Sequence, residues 1–102
     1  MCGIAGYALD EIPDNIEIIF DKISHRGPDD SGFFKTKSGR TNYGLFHRRL
    51  SIYDLSKAAA QPMKSHNGEN IIVFNGAIYN FKELQKEIFG RSNNEGMGDT
   101  RV

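Results

Sequence analysis

The single cysteine of this 102-residue chain stands at position 2, directly behind Met1. Removal of the initiator methionine before so small a side chain would leave Cys2 with a thiol and a free α-amine on one carbon. Such a residue carries its own base. An α-amine titrates near ~7.7–8.0, so a useful fraction is neutral at cellular pH and takes the thiol proton, directly or through a water. Read alone, a free cysteine is also a small buried hydrophobe.

Two other stretches hold residue types suited to chemistry. In "VFNGAIYN" an apolar run delivers Asn75 and Gly76 ahead of a helix-like segment. A side-chain amide beside an unhindered backbone N–H suits an oxyanion hole. Asn-Gly is equally a sharp-turn dipeptide. Arg49 closes a strand-like run that also carries His47, with Arg48 facing the other way. Arginine offers a planar fork for a bidentate grip on a carboxylate, although near a strand end it is commonly a solvated group. His25 and His47 read as structural residues, and the histidines at 25, 47 and 66 show no zinc spacing.

The elements that must position these residues follow from periodicity. Gly3 to Leu9 is short, apolar and glycine-punctuated, as in a buried strand. Ile16, Ile19, Phe20 and Ile23 recur at helical spacing behind Asp14-x-x-Glu17, which predicts a helix from Asn15 to Ser24 with a capping box. "SHRGPDDSG" is too polar and broken for a regular element and reads as a loop. Phe33 to Thr36 and Thr41 to Leu50 flank "KSGR" as a hairpin, with Tyr43, Leu45, His47 and Arg49 on one face. A polar loop is expected from Asp54 to Gln61, a turn at Asn67-Gly68, and a buried strand from Ile71 to Phe74. Asn80-x-x-Glu83 imitates a second capping box, and Phe81, Leu84 and Ile88 predict a helix from Phe81 to Phe89. From Gly90 to Gly98 the pattern dissolves. The order β, α, β, β, β, α argues an α+β arrangement, with strand edges left to be covered.

Thirteen basic residues balance thirteen acidic ones, which disfavours nucleic acid or an anionic membrane surface as partner. No apolar run is long enough to span a bilayer and no secretory signal pattern follows Met1, so the expected compartment is the cytoplasm, where thiols stay reduced. A lone cysteine excludes an internal disulfide.

Five stretches, "MCGIAGY", "HRGPDDSG", "HRRLSIYDLS", "AAQPM" and "VFNGAIYN", agree in identity, order and spacing with one family. Over residues 1 to 89 the chain closely resembles the glutamine-hydrolysing amidotransferase domain of asparagine synthetases. That is a class II amidotransferase of the N-terminal nucleophile hydrolase superfamily, built as an αββα sandwich. The resemblance implies an α+β fold forming part of that sandwich, with residues 1–102 a partial domain.

The resemblance also implies roles. Cys2 would attack the glutamine carboxamide, Arg49 would hold the α-carboxylate, and Asn75 and Gly76 would stabilise the oxyanion and border the substrate. Arg26 and Gly27 would border the nucleophile. The family's Ser-Asp-Thr-Glu-Val motif, whose Asp takes the substrate ammonium, is echoed by "GDTRV", which makes Asp99 the counterpart and puts Arg101 in place of Glu. Ala77 stands where many relatives carry Glu. Burying a zwitterion demands a cation and an anion in this way.

The expected products are glutamate and ammonia. The expected partners are L-glutamine and the synthetase domain, absent here, or a partner chain. No metal or cofactor is expected in this segment: ATP and Mg belong to the synthetase domain, and no "SGGxDS" loop occurs. The chain is shorter than the family's domain, so this segment alone is expected to turn glutamine over poorly or not at all; the alternative reading is a catalytically inactive truncated remnant or partner-binding fragment.

Overall fold

A computed structural model describes residues 2–50, 60–90 and 99–101. Strand β1 (Gly3–Leu9), helix α1 (Ile16–Asp21), a 3₁₀ turn (Ser24–Arg26), strands β2 (Asp30–Ser38) and β3 (Thr41–Arg49), the short strands β4 (Met63–Lys64) and β5 (Ile71–Ile72), helix α2 (Phe81–Phe89) and a 3₁₀ turn (Asp99–Arg101) follow in order. The arrangement is α+β with two antiparallel sheets, ordered β1-β3-β2 and β4-β5.

Strand β3 is central, paired with β2 over its whole length and with β1 from Asn42 to Arg48. Its register runs from Gly3↔Arg48 to Leu9↔Asn42 on one side and from Asp30↔Arg49 to Ser38↔Thr41 on the other. The β2–β3 connection is the two-residue Gly39-Arg40, and Gly39 takes a positive φ of 60° that this tight hairpin requires.

Alternation along the strands divides the side chains into two faces. On one, Tyr7, Phe33 and Phe46 receive Phe20 of α1. The Phe20 ring lies 4.5 Å from Phe46, 5.3 Å from Phe33 and 6.2 Å from Tyr7, centroid to centroid. Phe20 is 5% exposed, and aromatic pairs in this range contribute about 0.5–1.5 kcal/mol beyond area burial. A helix of six residues is too short to be stable by itself, so this ring cluster is what holds α1 in place.

The opposite face carries Ile4, Leu45, His47, Arg49 and Phe34. The β4–β5 ribbon crosses part of it, with Lys64 Nζ 5.6 Å above the Phe34 ring. Beyond the ribbon an open apolar recess of about 440 Å³ remains, lined by Gly6, Phe34, Thr36, Tyr43, Leu45 and Ile71 among others.

Several expected elements differ from those observed. The first helix spans Ile16–Asp21 rather than Asn15 to Ser24, and Ser24–Arg26 forms a separate 3₁₀ turn inside the stretch expected to be loop. Neither expected capping box forms, since Asn15 and Asn80 occupy the N-cap positions without side-chain cap bonds. Strand β2 begins at Asp30, three residues before the expected Phe33, because edge pairing uses backbone groups that polar side chains do not obstruct. The run Ile71 to Phe74 is a strand only at Ile71–Ile72, pairs with the unexpected β4, and leaves Ile72 45% exposed.

Helix α2 keeps the expected bounds and ends at Gly90, whose φ of 67° closes it with a left-handed cap. Its buried residue is nonetheless Gln85, while Ile88 is 57% exposed. Of the polar loop expected from Asp54 to Gln61, residues 54–59 lie outside the described residues, as does the stretch 91–98.

Candidate active site

Cys2 immediately precedes Gly3, which pairs with Arg48, so continuing the register would set it opposite Arg49 at the end of the central strand. The alternation that puts Ile4 and His47 on one face puts Cys2 and Arg49 there too. Cys2 is half-buried and unpaired with any other cysteine. Its Sγ lies 3.9 Å from the Leu50 carbonyl oxygen, and its own carbonyl accepts a hydrogen bond from Arg26 Nε at 3.3 Å. The nucleophile candidate is therefore held from two sides, by the end of β3 and by the turn before β2.

Gly27 explains how that turn approaches so closely. It is buried, and a Cβ there would meet the main chain of Arg48 and Arg49, within 2.5 Å of the Arg49 nitrogen. The Asp29 N–H then donates to the Arg49 carbonyl at 3.0 Å and pins the loop across the strand end. Its φ of −153° is ordinary extended backbone, so the need for glycine is spatial. Beside Cys2, residues His25, Arg26, Pro28 and Leu50 line an open depression of about 420 Å³.

Arg49 is 8% exposed and faces Asp30 directly across the β2–β3 ladder. His47, two residues earlier on the same face, is 1% exposed. Burial lowers its pKa from the ordinary 6.5; the Phe74 backbone opposes this, Arg49 adds to it, and Asp30 opposes it. Its ring nitrogens stop short of good hydrogen-bond geometry, so the neutral ring is the form that suits this environment.

The Asn75-Gly76 pair follows Phe74, whose N–H donates to Gln61 Oε1 at 2.6 Å. Asn75 and Gly76 are both exposed, and the Phe74 ring folds back over Gly76 where a Cβ would stand. Asp99 is half-buried in the final turn, with Oδ2 accepting the Ile78 N–H at 2.9 Å. Thus Cys2, Arg26, Gly27 and Arg49 gather at one end of the three-stranded sheet. Asn75, Gly76 and Asp99 form a second group, with Ile78 linking Asp99 to the segment behind Gly76.

Sequence reasoning assigned no role to Gln61 or to the Leu50 carbonyl. The one available signal was Gly32, a strand glycine of the kind that marks a close backbone approach. Among the described residues, no group of three or more His, Cys, Asp or Glu side chains could hold a metal ion, and no helix is long and apolar enough to cross a membrane.

The fold and the site define a small α+β domain that presents a half-buried thiol, with a buried guanidinium at the same level, at the head of an antiparallel sheet. The chain belongs to the glutamine amidotransferase domain family, whose model matches residues 1–102. It is similar to the putative glutamine-hydrolyzing asparagine synthetase 2 of Methanocaldococcus jannaschii, 39% identical over 119 aligned residues that take in all of this chain and 23% of that protein. It is also similar to glutamine-hydrolyzing asparagine synthetase 2 of Bacillus subtilis, 37% identical over 86% of this chain and 12% of that protein. A third relative, amidase chry2 of Gibberella zeae, is 32% identical over all of this chain and 17% of its own length. The chain thus spans less than a quarter of each of these curated relatives. No solved structure matches it.

Proposed function

We propose that this chain acts as the glutaminase part of an asparagine synthetase-like enzyme, with Cys2 as an N-terminal nucleophile once Met1 is removed. The observation that carries the reading is the gathering of Cys2, Arg26, Gly27 and buried Arg49 at one sheet end, in a chain matched by the amidotransferase family along its whole length. That match supports the hydrolase reading over an inactive remnant. The sandwich architecture of the N-terminal nucleophile hydrolases is part of the proposal. In it, the open face carrying Ile4, Leu45 and Tyr43 is the inner face of the first sheet.

The chemistry runs as follows. The Cys2 α-amine takes the thiol proton, and the sulfur attacks the glutamine side-chain carbonyl carbon. Asn75 and the Gly76 N–H donate to the oxygen as it gains charge. Collapse of the adduct breaks the C–N bond, and the proton held by the α-amine leaves with nitrogen as ammonia. Water then cleaves the thioester to release glutamate and restore the thiol. Arg49 holds the α-carboxylate and Asp99 the ammonium, while Arg26 and Gly27 fix the nucleophile's backbone.

No cofactor enters these steps; ATP and Mg would serve only a synthetase domain, which would receive the ammonia. A reducing cytoplasm suits the free thiol. The test is release of glutamate and ammonia from glutamine by the purified chain, compared with its Cys2→Ala variant. Release that depends on Cys2 supports the reading; identical release from both proteins rejects it.

A further inference from the structure

Gln61, in the "AAQPM" stretch, has no part in the steps above, yet it reaches three elements. Its main-chain carbonyl oxygen occupies the space that a side chain would need at Gly32, the β2 residue directly opposite His47. Its Oε1 accepts the Phe74 N–H at 2.6 Å, and its Nε2 donates to Thr100 Oγ1 at 3.5 Å. Phe74 immediately precedes Asn75 and Gly76. Thr100 immediately follows Asp99, which accepts the Ile78 N–H.

Gln61 thus packs its main chain against the sheet that carries Arg49 while its half-buried side-chain amide bonds the segment that carries the candidate oxyanion donors. The 2.6 Å bond lies at the short end of hydrogen-bond lengths and the 3.5 Å contact at the outer limit, so the Phe74 arm dominates. Gly32 contributes by having no side chain, since any Cβ there would push the Gln61 backbone off the sheet.

We infer that Gln61 is a positioning residue, its side-chain oxygen fixing the Phe74 backbone and with it the placement of Asn75 and Gly76. The assignment of a catalytic consequence rests on the proposed roles of Asn75 and Gly76. The bond itself does not. A glutamate at position 61 keeps the acceptor for the Phe74 N–H and loses the donor to Thr100, whereas alanine loses both.

Two measurements on the full chain test this, with Gln61→Ala and Gln61→Glu as variants. The first is amide hydrogen exchange. In Gln61→Ala the Phe74 amide should exchange about 2- to 10-fold faster, the effect of one net hydrogen bond, with the β3 amides unchanged. In Gln61→Glu its protection should persist. Unchanged exchange at Phe74 in the alanine variant, equal loss in both variants, or an equal rise throughout β3 would overturn the assignment.

The second is glutamate release. Gln61→Ala should lower kcat with little change in KM, Gln61→Glu should restore most of it, and the alanine effect should largely vanish in an Asn75→Ala background, because both changes remove the same positioned donor. An undiminished loss in that background would show that Gln61 acts elsewhere and reject the inference. If the wild-type chain releases no glutamate, the functional reading fails, and the exchange comparison alone decides whether Gln61 fixes Phe74.

Discussion

Replacing Gly27 with alanine perturbs the site without removing any side chain assigned to the chemistry. A Cβ at this position would stand within 2.5 Å of the Arg49 nitrogen and the Arg48 carbonyl oxygen. Ordinary van der Waals contact begins at 3.4 Å, so the two backbones must part by about 1 Å. Strand β3 is paired on both sides from Asn42 to Arg48 and yields less readily than the turn. The displacement must fall on the turn, which carries the Arg26 bond to the Cys2 carbonyl and the Asp29 bond to Arg49.

Overpacking of this kind costs about 1–3 kcal/mol, and a misplacement of about 1 Å loses on the order of 10²-fold in rate. Gly27→Ala should therefore melt lower and react about a hundredfold more slowly with a γ-electrophilic glutamine analogue, followed by mass, while the exposed Lys37→Ala control stays near the wild type. Wild-type stability together with wild-type labelling in Gly27→Ala would refute the claim that this close approach sets the nucleophile's position.

Arg49→Ala should raise KM for glutamine far more than it lowers kcat, because a carboxylate grip is present in ground and transition states alike; steady-state kinetics showing mainly a kcat loss would contradict that role. Asn75→Ala should do the reverse, with a loss of about 10²–10³ in kcat, and intact turnover would remove Asn75 from the oxyanion hole. The lowered pKa of His47 means that the unfolded chain binds its proton first as pH falls. Its contribution is fully present above pH 6.5 and is lost progressively below that value, until the lower folded pKa is passed. Denaturant midpoints measured from pH 8 to 5 should fall, and His47→Gln should flatten that fall; an unchanged slope in the variant would assign the pH dependence to other groups.

The sequence was most legible where one pattern dominated. Gly3 to Leu9 and Phe81 to Phe89 stand as strand and helix with the expected bounds, read from a short apolar, glycine-punctuated run in the one and a 3.6-residue stripe ending at Gly90 in the other; β1 is not the buried strand expected, since its faces alternate and Ile4 is 46% exposed. The faces of β3 were equally readable, since alternation fixes His47 and Arg49 on one side. The Asp30 end of β2 was not, because its pairing is a matter of backbone geometry with Arg49 and leaves no apolar signature. Likewise Gln61 reads as an ordinary polar loop residue until the positions of Gly32 and Phe74 are known. The two capping boxes failed for a related reason: the motif supplies partners, but nearby backbone contacts such as Glu83 N–H to the Asn80 carbonyl are made instead. Motif order placed the residues of the candidate site on the chain, while the grouping of Cys2, Arg26, Gly27 and Arg49 at the head of the sheet comes from register and from the turn before β2.

The most direct test of the account is mass spectrometry of the purified chain before and after reaction with a γ-electrophilic glutamine analogue. The expected results are loss of Met1, one adduct on Cys2, no adduct in Cys2→Ser, and protection by excess glutamine. A form that retains Met1 and labels equally well, or an adduct that forms elsewhere, would contradict the claim that Cys2 is a nucleophile served by its own α-amine.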